Sequence, residues 1–179
     1  MAMTLITTNT SSGASASVFT SGIDSTYKLY IFKFYDVNPA SDSKTLTVQA
    51  NASSQSGYNE TITSSFFQTS HNEDDSGTPA VGYRTAADLA QGTDKQYLTG
   101  DLGNGGDESG AGELFLFNPS NTTYVKHWYC RTVCNQSNDS NNESYSAGYF
   151  NVAAAITNIQ FAILDGSDFD AVIKMYGVG

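Results

Sequence analysis

Two cysteines, two histidines and two acidic loops are the residues whose types could carry chemistry in this chain. Cys130 and Cys134 are four positions apart. On one continuous strand they share a face, with their Cα atoms about 13 Å apart, too far for a disulfide. His71 and His127 lie at no zinc-ligand spacing from them. Both cysteines therefore read as reduced, buried thiols, with an intermolecular disulfide left open. Asp101, Asn104, Asp107 and Glu108 offer oxygen ligands of the kind calcium takes, but without the ordered acidic positions and closing glutamate of an EF-hand. Together with Glu73-Asp74-Asp75 they read as solvated loop charge. His127, next to Trp128 in mid-strand, reads as a packed histidine. Gly103-Asn104-Gly105-Gly106 has neither a strand before it nor a helix after it, so it is no phosphate cradle. The chain also lacks a nucleophile elbow and an HExxH motif, and no pair of acids is singled out for glycoside hydrolysis. The expectation is a protein that is not an enzyme and needs no cofactor.

These residues must be positioned by strands. Ile159, Phe161 and Ile163 alternate with Gln160 and Ala162. Asp165-Gly166-Ser167 breaks the run, and Phe169, Ala171, Ile173 and Met175 resume it opposite Asp170, Val172, Lys174 and Tyr176. A period of two on either side of a turn predicts a terminal hairpin over 156–179. Tyr27 to Tyr35 is a long strand with Tyr30, Phe32 and Phe34 on one side and Tyr27, Leu29 and Ile31 on the other. Apolar residues on both faces place it in the middle of a sheet. Leu46, Val48 and Ala50 alternate with Thr45, Thr47 and Gln49, which predicts a half-exposed strand. Further strands are expected at 18–20, 58–70, 96–99, 113–117, 123–134 and 147–152. Only 85–91 has the composition for a turn or two of helix, ended by Gly92. Asn135 to Glu143 reads as an exposed loop tip. The total is eight to ten strands joined by polar turns, the pattern of an all-β sandwich, without a fixed-period repeat.

Length and composition agree. A chain of 179 residues reads as one domain and buries roughly 70% of its unfolded surface, so its core needs no metal or disulfide. Charged residues are 15% of the chain, against about 25% in ordinary domains. Ser, Thr, Asn and Gln must therefore build much of the polar surface. With eight Lys and Arg and a net charge of −10, direct nucleic-acid binding is not expected. No segment approaches the roughly 20 apolar residues of a membrane helix, and 1–10 lacks the basic start and apolar run of a secretion signal. No membrane partner is expected. Residues 1–17, rich in Thr, Ser and Ala with one apolar patch at Leu5-Ile6, read as a loose terminus or as an arm that orders against a neighbouring subunit. The sandwich domain then spans 18–179.

Three stretches carry a resemblance. They are Phe19 to Ala40 (FTSGIDSTYKLYIFKFYDVNPA), Leu116 to Ser120 with Tyr124 to His127, and Phe169 to Gly177 within an "I..I.F....G.FD..I.MYG" ending. Sampled across the chain, they resemble a group of small structural proteins of tailed bacteriophages, many of them marine. The resemblance implies a jelly-roll β-sandwich that serves as a virion component, either a capsid decoration (cement) protein or a tail-fibre module, and implies no catalytic residues. The partners it implies are sister copies, as a homotrimer, and the major capsid protein or another virion protein. The candidate interface is Leu5 and Ile6 of the arm with Tyr27, Tyr30, Phe32 and Phe34 of the aromatic strand. A tail-associated adhesin that stacks host glycan on exposed rings such as Tyr145 and Tyr149 is the alternative.

Overall fold

A computed structural model describes residues 2–179. Among the described residues the regular structure is thirteen strands and no helix. In chain order they are β1 (Met3–Ala14), β2 (Ser17–Phe19), β3 (Leu29–Pro39), β4 (Leu46–Ala52), β5 (Ile62–Asn72), β6 (Ala80–Tyr83), β7 (Ala90–Gly92), β8 (Gln96–Tyr97), β9 (Gly110–Phe117), β10 (Lys126–Gln136), β11 (Ser140–Phe150), β12 (Ile156–Ile163) and β13 (Phe169–Val178). They make two antiparallel sheets. The large one has nine strands in the order β1-β13-β3-β9-β10-β11-β5-β6, with β7 also on β5, and the small one runs β2-β12-β4-β8.

The pairing is nested. β2 pairs with β12, β3 with β9, β4 with β8, and β5 with β6. Early strands meeting late ones in this way is what a long hairpin wrapped over itself produces, the jelly-roll arrangement. Pairing of β12 with β4 and of β13 with β3 joins these pairs into two open sheets. The meander β9-β10-β11 extends the large sheet from β3 to β5. The expected antiparallel sandwich is present, with more strands than the eight to ten anticipated, because 3–14 is a strand and β6 and β7 are edge strands of only four and three residues.

The core lies between the sheets. Phe161 of β12 meets the edges of Phe19, Phe32 and Phe34 at centroid distances of 6.1, 5.3 and 5.0 Å. Such edge-to-face pairs contribute about 0.5–1.5 kcal/mol each beyond their burial. Ile159, Ile163, Leu46 and Val48 line the small sheet, Ile173 and Met175 the large one, and all are essentially inaccessible. β11 turns Ser140, Asn142 and Ser144 inward, where Ser144 Oγ donates to Asn142 Oδ1 at 3.0 Å and Ser140 Oγ to Gln136 Oε1 at 2.9 Å. Thr132 Oγ1 donates to the Leu98 carbonyl at 2.6 Å. A Cβ on Gly100 would fall 2.5 Å from Asn142 Oδ1.

Several expectations are corrected. The terminal hairpin is an arch. β12 belongs to the small sheet and β13 to the large one, with Gly166 at φ 81° in the corner between them. The two apolar faces look at each other across the core instead of lying side by side. Residues 85–91 form a turn closed by Ala87 N donating to Arg84 O at 3.0 Å, followed by β7, because β5 takes this segment as an edge strand. β4 is buried at every position, since distant loops cover its outer face. Gln49 Nε2 donates to the carbonyls of Glu60, Thr93 and Asp94. The loop tip expected at 135–143 shrinks to a turn at 137–139, because Asn135 pairs with Asn141 and Gln136 with Ser140. The arm is a strand of this chain's own large sheet, with β1 antiparallel to β13 from Met3 opposite Val178 to Ala14 opposite Phe169.

Candidate binding surface

Most of the expected interface is core. Tyr30 is 0%, Phe32 0% and Phe34 2% exposed, because β3 turns this side toward β12. They are unavailable to a partner. The Tyr30 hydroxyl donates to Asp24 O at 2.9 Å, and burial pushes its pKa above the usual phenol value. Tyr27 is half-buried. Its ring lies over Gly177, where any Cβ would collide with it, and meets the Tyr30 edge at 5.9 Å, so it plugs one end of the core. Ile6 is half-buried and packs against the core, close to Gly22. Of the six, only Leu5, 51% exposed, stands open to solvent.

The side of the large sheet facing away from the core carries the exposed rings. One row crosses seven strands in register: Lys174, Lys33, Glu113, Arg131, Tyr145, Phe67, Tyr83. The next row runs Tyr176, Ile31, Phe115, Tyr129 and Ala147. These rows exist because a strand alternates. Leu114, Leu116 and Trp128 point inward, which sends Phe115, Phe117 and Tyr129 outward. Phe115 stacks on Tyr129 at 4.5 Å, and Phe67 on Tyr145 at 4.8 Å, nearly parallel. Phe117 lies 5.7 Å from Tyr129.

Three of the four charges in the first row are ion-paired. Lys33 Nζ is 3.2 Å from Glu113. Arg131 Nε donates to Glu143 at 2.5 Å, and its guanidinium sits 5.4 Å above the Tyr145 ring. Hydrogen bonding from Tyr145, then from Arg131, holds the Glu143 carboxyl below its usual range. Lys174 lies 5.3 Å over the Tyr35 ring. Ala111 and Val133, small side chains among these, leave a shallow depression of about 390 Å³ walled by Lys33, Tyr35, Arg131 and Glu143. A second hollow of about 580 Å³ lies at the sheet end between Phe117, Asn121, Tyr124 and His127. The surface thus offers flat rings and self-neutralised ion pairs on a rigid ladder, which suits it to binding another surface.

The other residues that could do chemistry are dispersed. Cys130 and Cys134 are buried and free, as their spacing predicts. Burial raises both thiols, Cys134 to about 12. The Glu108 carboxylate turns back onto Gly105 N at 2.6 Å, and Asn104 N donates to Asp42. Among the described residues no three His, Cys, Asp or Glu side chains gather as metal ligands. Tyr145 and Tyr149 sit on the outer face as half-buried strand residues rather than at loop tips, Tyr149 5.8 Å from His127. Sequence reasoning passed over Phe67, Phe115, Phe117 and Tyr129. The alternation around Leu114, Leu116 and Trp128 is the signal that finds three of them. The chain matches no family model, no curated protein and no solved structure.

Proposed function

We propose that the chain is a virion decoration protein of a tailed bacteriophage, held to the head by the outer face of its nine-stranded sheet. The observation that carries this reading is the run of exposed rings on that face. Phe67, Tyr83, Phe117 and Tyr129 are each 38–53% exposed and are held on paired strands. A broad apolar patch with a polar rim is characteristic of a protein-binding surface. The resemblance of 19–40, of 116–120 with 124–127, and of 169–177 to phage structural proteins supports a virion partner, and stabilising a shell requires contact area rather than turnover. Antibody labelling of the phage that encodes the chain, imaged by electron microscopy, tests it. Label over the head is expected, and the double variant Phe117→Ser/Tyr129→Ser should no longer bind heads stripped of decoration. Particles without label would sink the reading.

A tail-borne adhesin is the second reading, favoured by the hollow beside Phe117 and Tyr124, where rings and the Asn121 amide converge. Label confined to the tail, with glycan-array signal abolished by Tyr124→Ser, would select it.

A further inference from the structure

We propose that two copies of this chain join edge to edge, β1 against β1 in antiparallel fashion, so that the large sheets run into each other across a two-fold axis. β1 has β13 on one side and, among the described residues, no strand on the other. A row of backbone donors and acceptors along a sheet edge recruits another strand unless charge, proline, shortness, a bulge or a cover interrupts it, and on β1 only the stretch between its two bulges is free of all of these. The other edges are guarded. β6 is four residues long, between Pro79 and Arg84, and β2 and β8 are three and two residues. β1 is twelve residues long, contains neither proline nor a charged residue, and the chain's first charged residue is Asp24.

What fits this edge is a second β1. Bulges interrupt the β1 register between Leu5 and Thr7 and again between Ser11 and Ala14. The regular stretch between them is Thr7 to Ser11, and its centre is Asn9. A two-fold axis at Asn9 sets Thr8 of one copy against Thr10 of the other, twice. Both threonines are exposed and lie on the outward side, opposite Lys174 and Val172 of β13. Cross-strand threonine pairs are favourable. The net charge of −10 disfavours contact between two copies over most of the surface, but β1 carries none of it. The strip of exposed apolar side chains also reaches this edge, with Met3 49% and Leu5 51% exposed next to Val178 and Tyr176. An interface in which one patch meets itself closes as a dimer.

Sedimentation velocity across a dilution series tests this independently of any capsid. The full chain should sediment as a dimer at micromolar concentration and dissociate on dilution. Thr8→Lys/Thr10→Lys sets like charges opposite each other and should weaken the dimer by about tenfold or more. Its unfolding temperature, measured where both proteins are monomeric, should fall by no more than about 4 °C, because the lysine introduced at position 8 also faces Lys174 of the same sheet. Thr8→Val/Thr10→Val adds no charge and should retain the dimer. A parent that stays monomeric throughout, a trimer, or a dimer indifferent to the lysines but lost in Phe117→Ser/Tyr129→Ser would overturn the proposal. Failure here leaves the decoration reading standing, and loss of head binding leaves the dimer standing.

Discussion

Lys126 shows how one side chain can tie the end of the sandwich. It is fully buried, and its ammonium donates to the carbonyls of Tyr124, Val152 and Ala153 at 2.6, 3.1 and 3.1 Å. An ammonium has three protons, and here each finds an oxygen. The loop entering β10 and the loop leaving β11 are thereby pinned to one point. Burial lowers its pKa, so the charge is held at a cost that the carbonyls offset. Lys126→Met keeps the length of the side chain but leaves three acceptors without their donor. Each buried orphan costs about 1–3 kcal/mol, and some of that loss is relieved by movement of the loops. The expected net loss is about 3 kcal/mol, a fall in Tm of roughly 6–12 °C for a domain of this size, read by thermal unfolding. A fall under about 1 °C would mean that water reaches these carbonyls and the lysine ties nothing. The sequence gives no hint of this tie, because a lone lysine before His127 and Trp128 reads as solvated, and its partners come from residues 26 and 27 positions further on.

At the scale of elements, the arches β3–β4 and β12–β13 lie side by side and hold each other. Ala40 N donates to Asp168 O at 2.9 Å, Leu164 N to Thr45 O at 3.0 Å, and Lys44 Nζ to Asp165 at 2.7 Å. The Lys44 ammonium, then the Ser167 hydroxyl and amide, hold the Asp165 carboxyl well below the usual carboxylate range. A folded pKa below the unfolded value of about 3.9 means stabilisation that is complete above that value and is lost as pH falls through the depressed one. Tm measured between pH 6 and pH 2 should therefore fall on the acid side of about 4, and Asp165→Asn should fall less steeply. Identical acid limbs would show that the exposed pair does not contribute. These arches also mark what was legible in the sequence. The alternation of Ile159, Phe161 and Ile163, and of Ile173 and Met175, identified the inward residues correctly. It could not tell a hairpin from an arch, because the same side chains face the core in both. The difference lies in which backbone groups pair, and backbone groups are identical at every residue. Thr45, Thr47 and Gln49 looked solvent-facing for a related reason: they are buried by segments distant in sequence. On β3 both faces were apolar, so parity alone gave no ground for choosing between Tyr30-Phe32-Phe34 and the opposite side. The outward rings of β9 and β10 were readable only with Leu114, Leu116 and Trp128 taken as the inward set.

For the molecule as a whole, the arches decide how it comes apart. β3 and β13 are neighbours in the large sheet, and β4 and β12 in the small one. Each arch carries the chain directly from one sheet to the other, so neither sheet can open without pulling strands from its partner. Phe161 adds to this by contacting β2 within its own sheet and β3 across the core. The two sheets should therefore unfold as one unit rather than as separate layers. Native-state hydrogen exchange at rising denaturant gives the direct reading. Amides of Val48, Ala50 and Phe161 in the small sheet should converge with those of Phe32 and Ile173 in the large sheet on a single opening free energy. That value should be the global one, of order 5–15 kcal/mol for a domain. β6, whose four residues are all exposed, should exchange by local fraying at much lower cost, as short edge strands do. If the four-stranded sheet instead opened first, at a free energy clearly below that of β3 and β13, the arches would be flexible tethers. The coupling of the layers would then have to come from core packing alone.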